Sequence, residues 1–117
     1  VLLRYHEPIR VATPDGVELG RRGFSTLWFP SERWATIYWD DVAIILVRRS
    51  SVTDAFLAAR EYRDLHPDDL EHLSVRLRDD PALRSAVALE LQRTLSDDPD
   101  CRRALALASA IASLQNS

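Results

Sequence analysis

The segment Arg33–Arg49 constrains this chain more than any other. It reads Arg-Trp-Ala-Thr-Ile-Tyr-Trp-Asp-Asp-Val-Ala-Ile-Ile-Leu-Val-Arg-Arg. Two runs rich in β-branched and aromatic residues flank a bare Asp40-Asp41 pair, the pattern of a β-hairpin. In the first run Trp34, Thr36 and Tyr38 alternate with Ala35, Ile37 and Trp39, so a strict period of two places the two sets on opposite faces. The second run, 42–47, is apolar at every position, as in a central strand covered on both faces. A two-residue type I′ turn needs φ > 0 at both positions, which Asp-Asp adopts less readily than Asn-Gly. A bulged or longer turn is the alternative.

The chain changes character near Ser50-Ser51. All three glycines, Gly16, Gly20 and Gly23, precede that point, and Ala, Leu, Arg and acids dominate after it. Strand chemistry gives way to helix chemistry. The expected fold class is therefore α+β. Residues 1–50 form a small β-rich subdomain with an antiparallel or mixed sheet of three or four strands. Residues 51–117 form a helical subdomain packed on it as one unit. In the first half Val1–Tyr5 reads as a short strand, Thr13-Pro14-Asp15-Gly16 as a turn, and Arg22–Phe29 as either a loop or a short helix.

Helix starts are marked in the second half. Ser51-Val-Thr-Asp54 fits a capping box leading into 55–62. Pro67 stands where a first helical position would be, with Asp68 and Asp69 in the first turn, ahead of 70–77. Asp80-Pro81 and Asp98-Pro99, 18 residues apart, open helices expected to run to about Leu95 and Leu114. Their alignment suggests an internal repeat, with stripes Leu83, Val87, Leu91, Leu95 and Cys101, Leu105, Ala108, Ile111, Leu114. The unit resembles the helix–turn–helix of tetratricopeptide repeats; an ordinary α-hairpin is the alternative.

Few residues suggest chemistry. Asp40-Asp41 could bind a cation if the turn curls both carboxylates together; the favoured reading is a solvated turn that also keeps the hairpin soluble. His6, His66 and His72 lack metal-ligand spacing, and no Gly-x-Ser-x-Gly or Cys-His pattern marks a nucleophile. The fragment is thus expected to be non-catalytic, with no cofactor and no metal. Trp28, Trp34 and Trp39 could stack a sugar or form core; Phe29-Pro30 suggests that Trp28 lies on a loop. Arg21-Arg22 and Arg48-Arg49 could meet anionic lipid headgroups or solvate strand ends. Trp28, Asp40, Asp41 and Arg48 are the candidate ligand-binding residues. Cys101, the only cysteine, sits on an apolar helical stripe and is expected to be buried.

A net charge of -3 gives no nucleic-acid footprint, so no nucleic-acid partner is expected. No apolar run approaches the roughly 18–20 residues of a membrane span. The chain begins at Val1 and contains no Met, the sign of a piece of something longer.

Phe29-Pro30, Arg33-Trp34-Ala35, Tyr38-Trp39-Asp40-Asp41-Val42-Ala43 and Val47-Arg48-Arg49, followed by Glu61-Tyr62-Arg63 and Pro67-Asp68-Asp69, together resemble a tail segment of bacterial membrane proteins. These are multi-span glycosyltransferases of the mannosyltransferase type, with a soluble tail after the last span and often tetratricopeptide-like helices. The resemblance covers about residues 24–110. It implies an extracytoplasmic accessory or interaction domain, bound to a protein partner or to the parent membrane domain, with membrane association through a missing upstream region. A sugar- or lipid-linked-sugar-binding module is the alternative. The family's chemistry would lie in the membrane portion, so the resemblance implies no catalytic residue here.

Overall fold

The computed structural model describes residues 1–5, 7 and 9–115. Strand β5 (Ala43–Arg48) is the middle of a three-stranded antiparallel sheet, as its unbroken apolar run demands. Strand β1 (Leu2–Arg4) pairs on one side and β4 (Trp34–Trp39) on the other. The architecture is α+β, with every strand pairing antiparallel.

The expected alternation along β4 does not survive. Thr36 faces Leu46 and Tyr38 faces Ile45, so Ile37 is an extra residue, a β-bulge. Residues directly opposite each other share a face. The bulge therefore moves Trp39, opposite buried Ile44, onto the same face as Trp34 and Thr36. Trp39 becomes core at 2% exposure. The bulge also turns backbone toward the helices: Tyr62 N–H donates to Thr36 O at 2.7 Å and Arg93 Nη2 donates to Ile37 O at 2.8 Å. These contacts cover the outer edge of β4, which would otherwise be open to pairing with another chain.

The hairpin turn takes the longer form. No non-glycine residue among those described has positive φ, which rules out a type I′ turn on Asp40-Asp41. Asp40 N–H donates to Ala43 O at 3.1 Å. Asp40 Oδ1 accepts from the N–H groups of Val42 and Ala43 at 2.8 and 2.9 Å, an Asx turn that replaces the conformational freedom glycine would have supplied.

A second hairpin pairs β2 (Ile9–Ala12) with β3 (Glu18–Arg22) around the expected Thr13–Gly16 turn, where Gly16 has φ 88°. These strands carry little alternation and are not read from the sequence. Arg22–Phe29 resolves as a short helix, α1 (Phe24–Trp28). At Gly23 the backbone is ordinary, but a Cβ would stand 2.4 Å from Asp68 O. Only glycine permits that approach.

Helix α2 (Asp54–Arg60) starts later than a Ser51 capping box requires, because Arg49–Ser51 forms a 3₁₀ turn; Thr53 caps it instead, accepting from Phe56 N–H at 3.1 Å. Helix α3 (Leu70–Asp79) begins past Pro67, and α4 (Pro81–Asp97) begins as expected, capped by Asp80 at 3.1 Å from Leu83 N–H. The repeat then breaks. Asp98 terminates α4, donating its N–H to Thr94 O, and α5 (Arg102–Gln115) begins only after a turn closed by Cys101 N–H on Asp98 O.

The cap of α5 comes from the hairpin. Asp41 accepts from Arg102 N–H at 2.8 Å, Arg103 N–H at 2.9 Å and the Cys101 thiol at 3.6 Å. A carboxylate satisfies the free N–H groups of the first turn and meets the positive end of the helix dipole. Those two N–H groups hold the Asp41 carboxyl below the usual carboxylate range.

One core joins the sheet face to the helices. It draws Trp39, Ile44 and Leu46 from the strands, Tyr62 and Leu65 from the segment after α2, and Leu73, Leu77, Leu83, Val87, Leu91, Cys101, Leu107 and Ile111 from around α3 to α5. Each fully buried aliphatic side chain contributes about 1.5–3 kcal/mol relative to exposure. Among the described residues no helix is long and apolar enough to cross a membrane.

Because the Asp41 pKa is depressed on folding, its contribution is present above the unfolded value near ~3.9 and is lost as pH falls through the folded value. Asp41→Asn is expected to lower Tm at neutral pH and to shrink the further loss between neutral and acid pH. Circular dichroism melts across pH check this; parallel Tm curves for the two proteins would contradict the charged cap.

Candidate functional site

The four residues expected to bind a ligand do not form one site. Asp40 and Asp41 occupy the hairpin turn. Arg48 ends β5 at the other end of the hairpin, about 16 Å away at ~3.3 Å per residue. Its guanidinium lies 5.2 Å from the centre of the Trp34 ring. Trp28 ends α1, 64% exposed, with its ring 6.1 Å from that of Phe24.

The acid pair is committed to the fold. Besides its two backbone partners, Asp40 accepts the Tyr38 hydroxyl at 2.9 Å. Burial works against the charged form of Asp40, but the three donors prevail and its pKa is lowered. The Tyr5 hydroxyl donates to Asp40 O at 2.6 Å, and burial pushes that hydroxyl up against the opposing pull of Arg103. The Arg103 guanidinium lies 3.5 Å from the Tyr5 ring centre and donates to Pro67 O at 3.3 Å. The turn, β1, the Pro67 segment and α5 therefore meet at one place.

The other quoted motifs have structural duties of the same kind. Asp69 accepts a forked pair from Arg22 at 3.1–3.2 Å and Gly23 N–H at 2.6 Å. Asp68 accepts Ser25 N–H at 2.8 Å and the Ser25 hydroxyl at 2.6 Å. Engagement of both carboxylates with the β3–α1 junction explains why α3 starts after them. Glu61, its side chain 7% exposed, takes both arms of Arg49 in a fork. Tyr62 bonds the Thr94 hydroxyl at 2.8 Å beneath Arg93, whose guanidinium lies 3.9 Å from its ring centre. His66 is partly buried, and its pKa is lowered by burial. His6 lies outside the described residues.

Two of the molecule's concavities bear on recognition. At the open end of the hairpin a cleft of about 420 Å³ is lined by Glu32, Arg33, Trp34, Arg48, Arg49 and Ser50. Between α4 and α5 an apolar groove of about 200 Å³ is lined by Ala88, Leu91, Leu95, Ala108, Ile111 and Ala112, with Gln92 as its polar member. Among the described residues no group of three or more His, Cys, Asp or Glu is placed to hold a metal.

No protein-family model, curated protein or solved structure matches this chain. The likeness to glycosyltransferase tails thus rests on the short motifs themselves.

Glu90 is a titrating group that the sequence does not mark. It lies on α4, and its carboxylate accepts Asp64 N–H at 3.2 and 3.3 Å. Burial raises its pKa to about 7, against the lowering pull of the backbone N–H groups. An unfolded glutamate titrates near ~4.3. Between those values the folded chain holds a proton that the unfolded chain has released, so this group makes stability fall as pH rises. Glu90→Gln keeps an acceptor oxygen without the charge. The Tm difference, variant minus parent, is expected to grow from about pH 5 to about pH 8. Scanning calorimetry at both values checks this, and a constant difference would show that Glu90 does not titrate there.

Proposed function

We propose that this chain is a non-catalytic accessory domain that mediates protein contact. On this reading it serves a parent membrane protein of the mannosyltransferase type. It is held at the membrane through an upstream segment and lies on the extracytoplasmic side. The observation that carries the contact reading is the groove between α4 and α5. Its lining is apolar apart from Gln92, and the same two helices also expose Leu89 and Leu105. The small side chains of Ala88, Ala108 and Ala112 leave room for a third helix to approach closely, the way neighbouring helices stack in repeat arrays. The occupant is the apolar face of a helix from the partner or parent membrane domain. The charged groups of the quoted motifs support the same reading, because most of them are tied to backbone or to each other.

A photo-crosslinking residue at Gln92, in protein expressed with its native membranes, is expected to give one discrete adduct. Ala112→Arg, at an exposed position, is expected to abolish that adduct while leaving the melting curve intact. An adduct pattern unchanged by Ala112→Arg would refute the groove as the contact.

The exposure of Trp28 favours a second reading, a module binding sugars or lipid-linked sugars by ring stacking. Asp40 and Asp41 would contribute little to it, since their oxygens already accept several donors. The measurement is tryptophan emission during titration with mannose and mannose oligomers. This reading expects a saturable change that is lost in Trp28→Ala; a flat titration removes it.

A further inference from the structure

We infer that the cleft at the open end of the β4–β5 hairpin is a binding site for a phosphate group carried on a larger molecule. Three guanidinium groups line it, those of Arg33, Arg48 and Arg49, against a single lining carboxylate, Glu32. Glu61, behind the lining, pairs with Arg49, so the local balance of +3 and −2 is +1, in a chain whose net charge is -3. Positive charge is thus concentrated here against the sign of the whole molecule.

Arg49 is a rigid floor for such a site. Its Nε donates to Ser31 O at 2.7 Å, its own backbone N–H donates to Arg33 O at 2.8 Å, and Glu61 holds the two ends of its fork. A guanidinium has five N–H donors. Three are accounted for by these contacts, and the other two have no acceptor among the described residues. The guanidinium groups of Arg33 and Arg48 form no ion pair or hydrogen bond with a described residue, and Arg48 rests over Trp34. Trp34 is itself held edge-on by Phe29, at 5.1 Å and 86°. One fixed and two free guanidinium groups around a fixed indole match a tetrahedral dianion, whose several oxygens can take more than one fork at once. A cleft of about 420 Å³ also has space for the group that bears the phosphate, with the Trp34 ring as its apolar contact.

The inference does not depend on the α4–α5 contact. Inorganic phosphate and vesicles of phosphatidylcholine containing phosphatidic acid are the two probes, each run at constant ionic strength against potassium chloride. Phosphate is expected to give saturable amide shifts at residues 32–34 and 48–50. Arg33→Gln/Arg48→Gln is expected to weaken binding at least tenfold, and Glu32→Gln to strengthen it. Both Arg side chains are exposed, so the double variant should fold. Phosphate binding without a gain on vesicles supports a soluble phosphate ester. Vesicle binding that the double variant loses supports a phosphate headgroup. Responses equal to those in chloride, or unchanged in the double variant, overturn the inference.

Discussion

The carboxylate of Asp41 holds the two halves of this molecule in register. It leaves a strand turn and closes the first turn of a helix that begins some 60 residues later. The residue at the ordinary capping position, Cys101, has a thiol that is a weak acceptor and is fully buried. Without an outside acceptor, the first N–H groups of α5 would lack partners near the core. Asp40 complements this by bending the turn so that its neighbour reaches the helix. The two adjacent acids thus do different work, one shaping the loop and the other docking a helix on it.

The same device recurs. Asp68 and Asp69 bind the β3–α1 junction, and Glu61 binds Arg49 at the end of β5. In each case an acid in a loop or at a helix end, on the far side of the strand-to-helix transition, reaches back to the β-rich half. The packing tightens around these bonds. Gly23 is needed because Asp68 O approaches too closely for any side chain, and the bulge at Ile37 lets Tyr62 and Arg93 cap the free edge of β4. With those acids engaged, the recognition groups that remain are peripheral: an arginine-lined cleft, an apolar helix groove and one exposed tryptophan.

Much of the fold was readable in the sequence because it depends on local chemistry. The apolar run 42–47 became the central strand, and the Thr13–Gly16 turn formed where Pro and Gly placed it. Asp80-Pro81 opened α4 because one carboxylate and one proline suffice to start a helix. The candidate site was less readable. Arg48 does line a cleft, but its neighbours there, Arg33 and Arg49, are distinguished from the other twelve arginines only by where the strands end. Asp98-Pro99 looked equivalent to Asp80-Pro81 and did not behave equivalently, since a competing acceptor arrived from another element.

The sequence by itself determined that a β-rich segment precedes a helical one, where most elements lie, and that a hairpin closes on Asp40-Asp41. These follow from side-chain periodicity and from the backbone preferences of Pro, Gly, Asp and β-branched residues, all of which act over a few positions. Only the tertiary structure decided the bulge that turns Trp39 inward, the start of α5 and the partner of each acidic pair. Those outcomes depend on which donors lie within about 3 Å of an oxygen once the core has closed, and a linear pattern does not encode that distance.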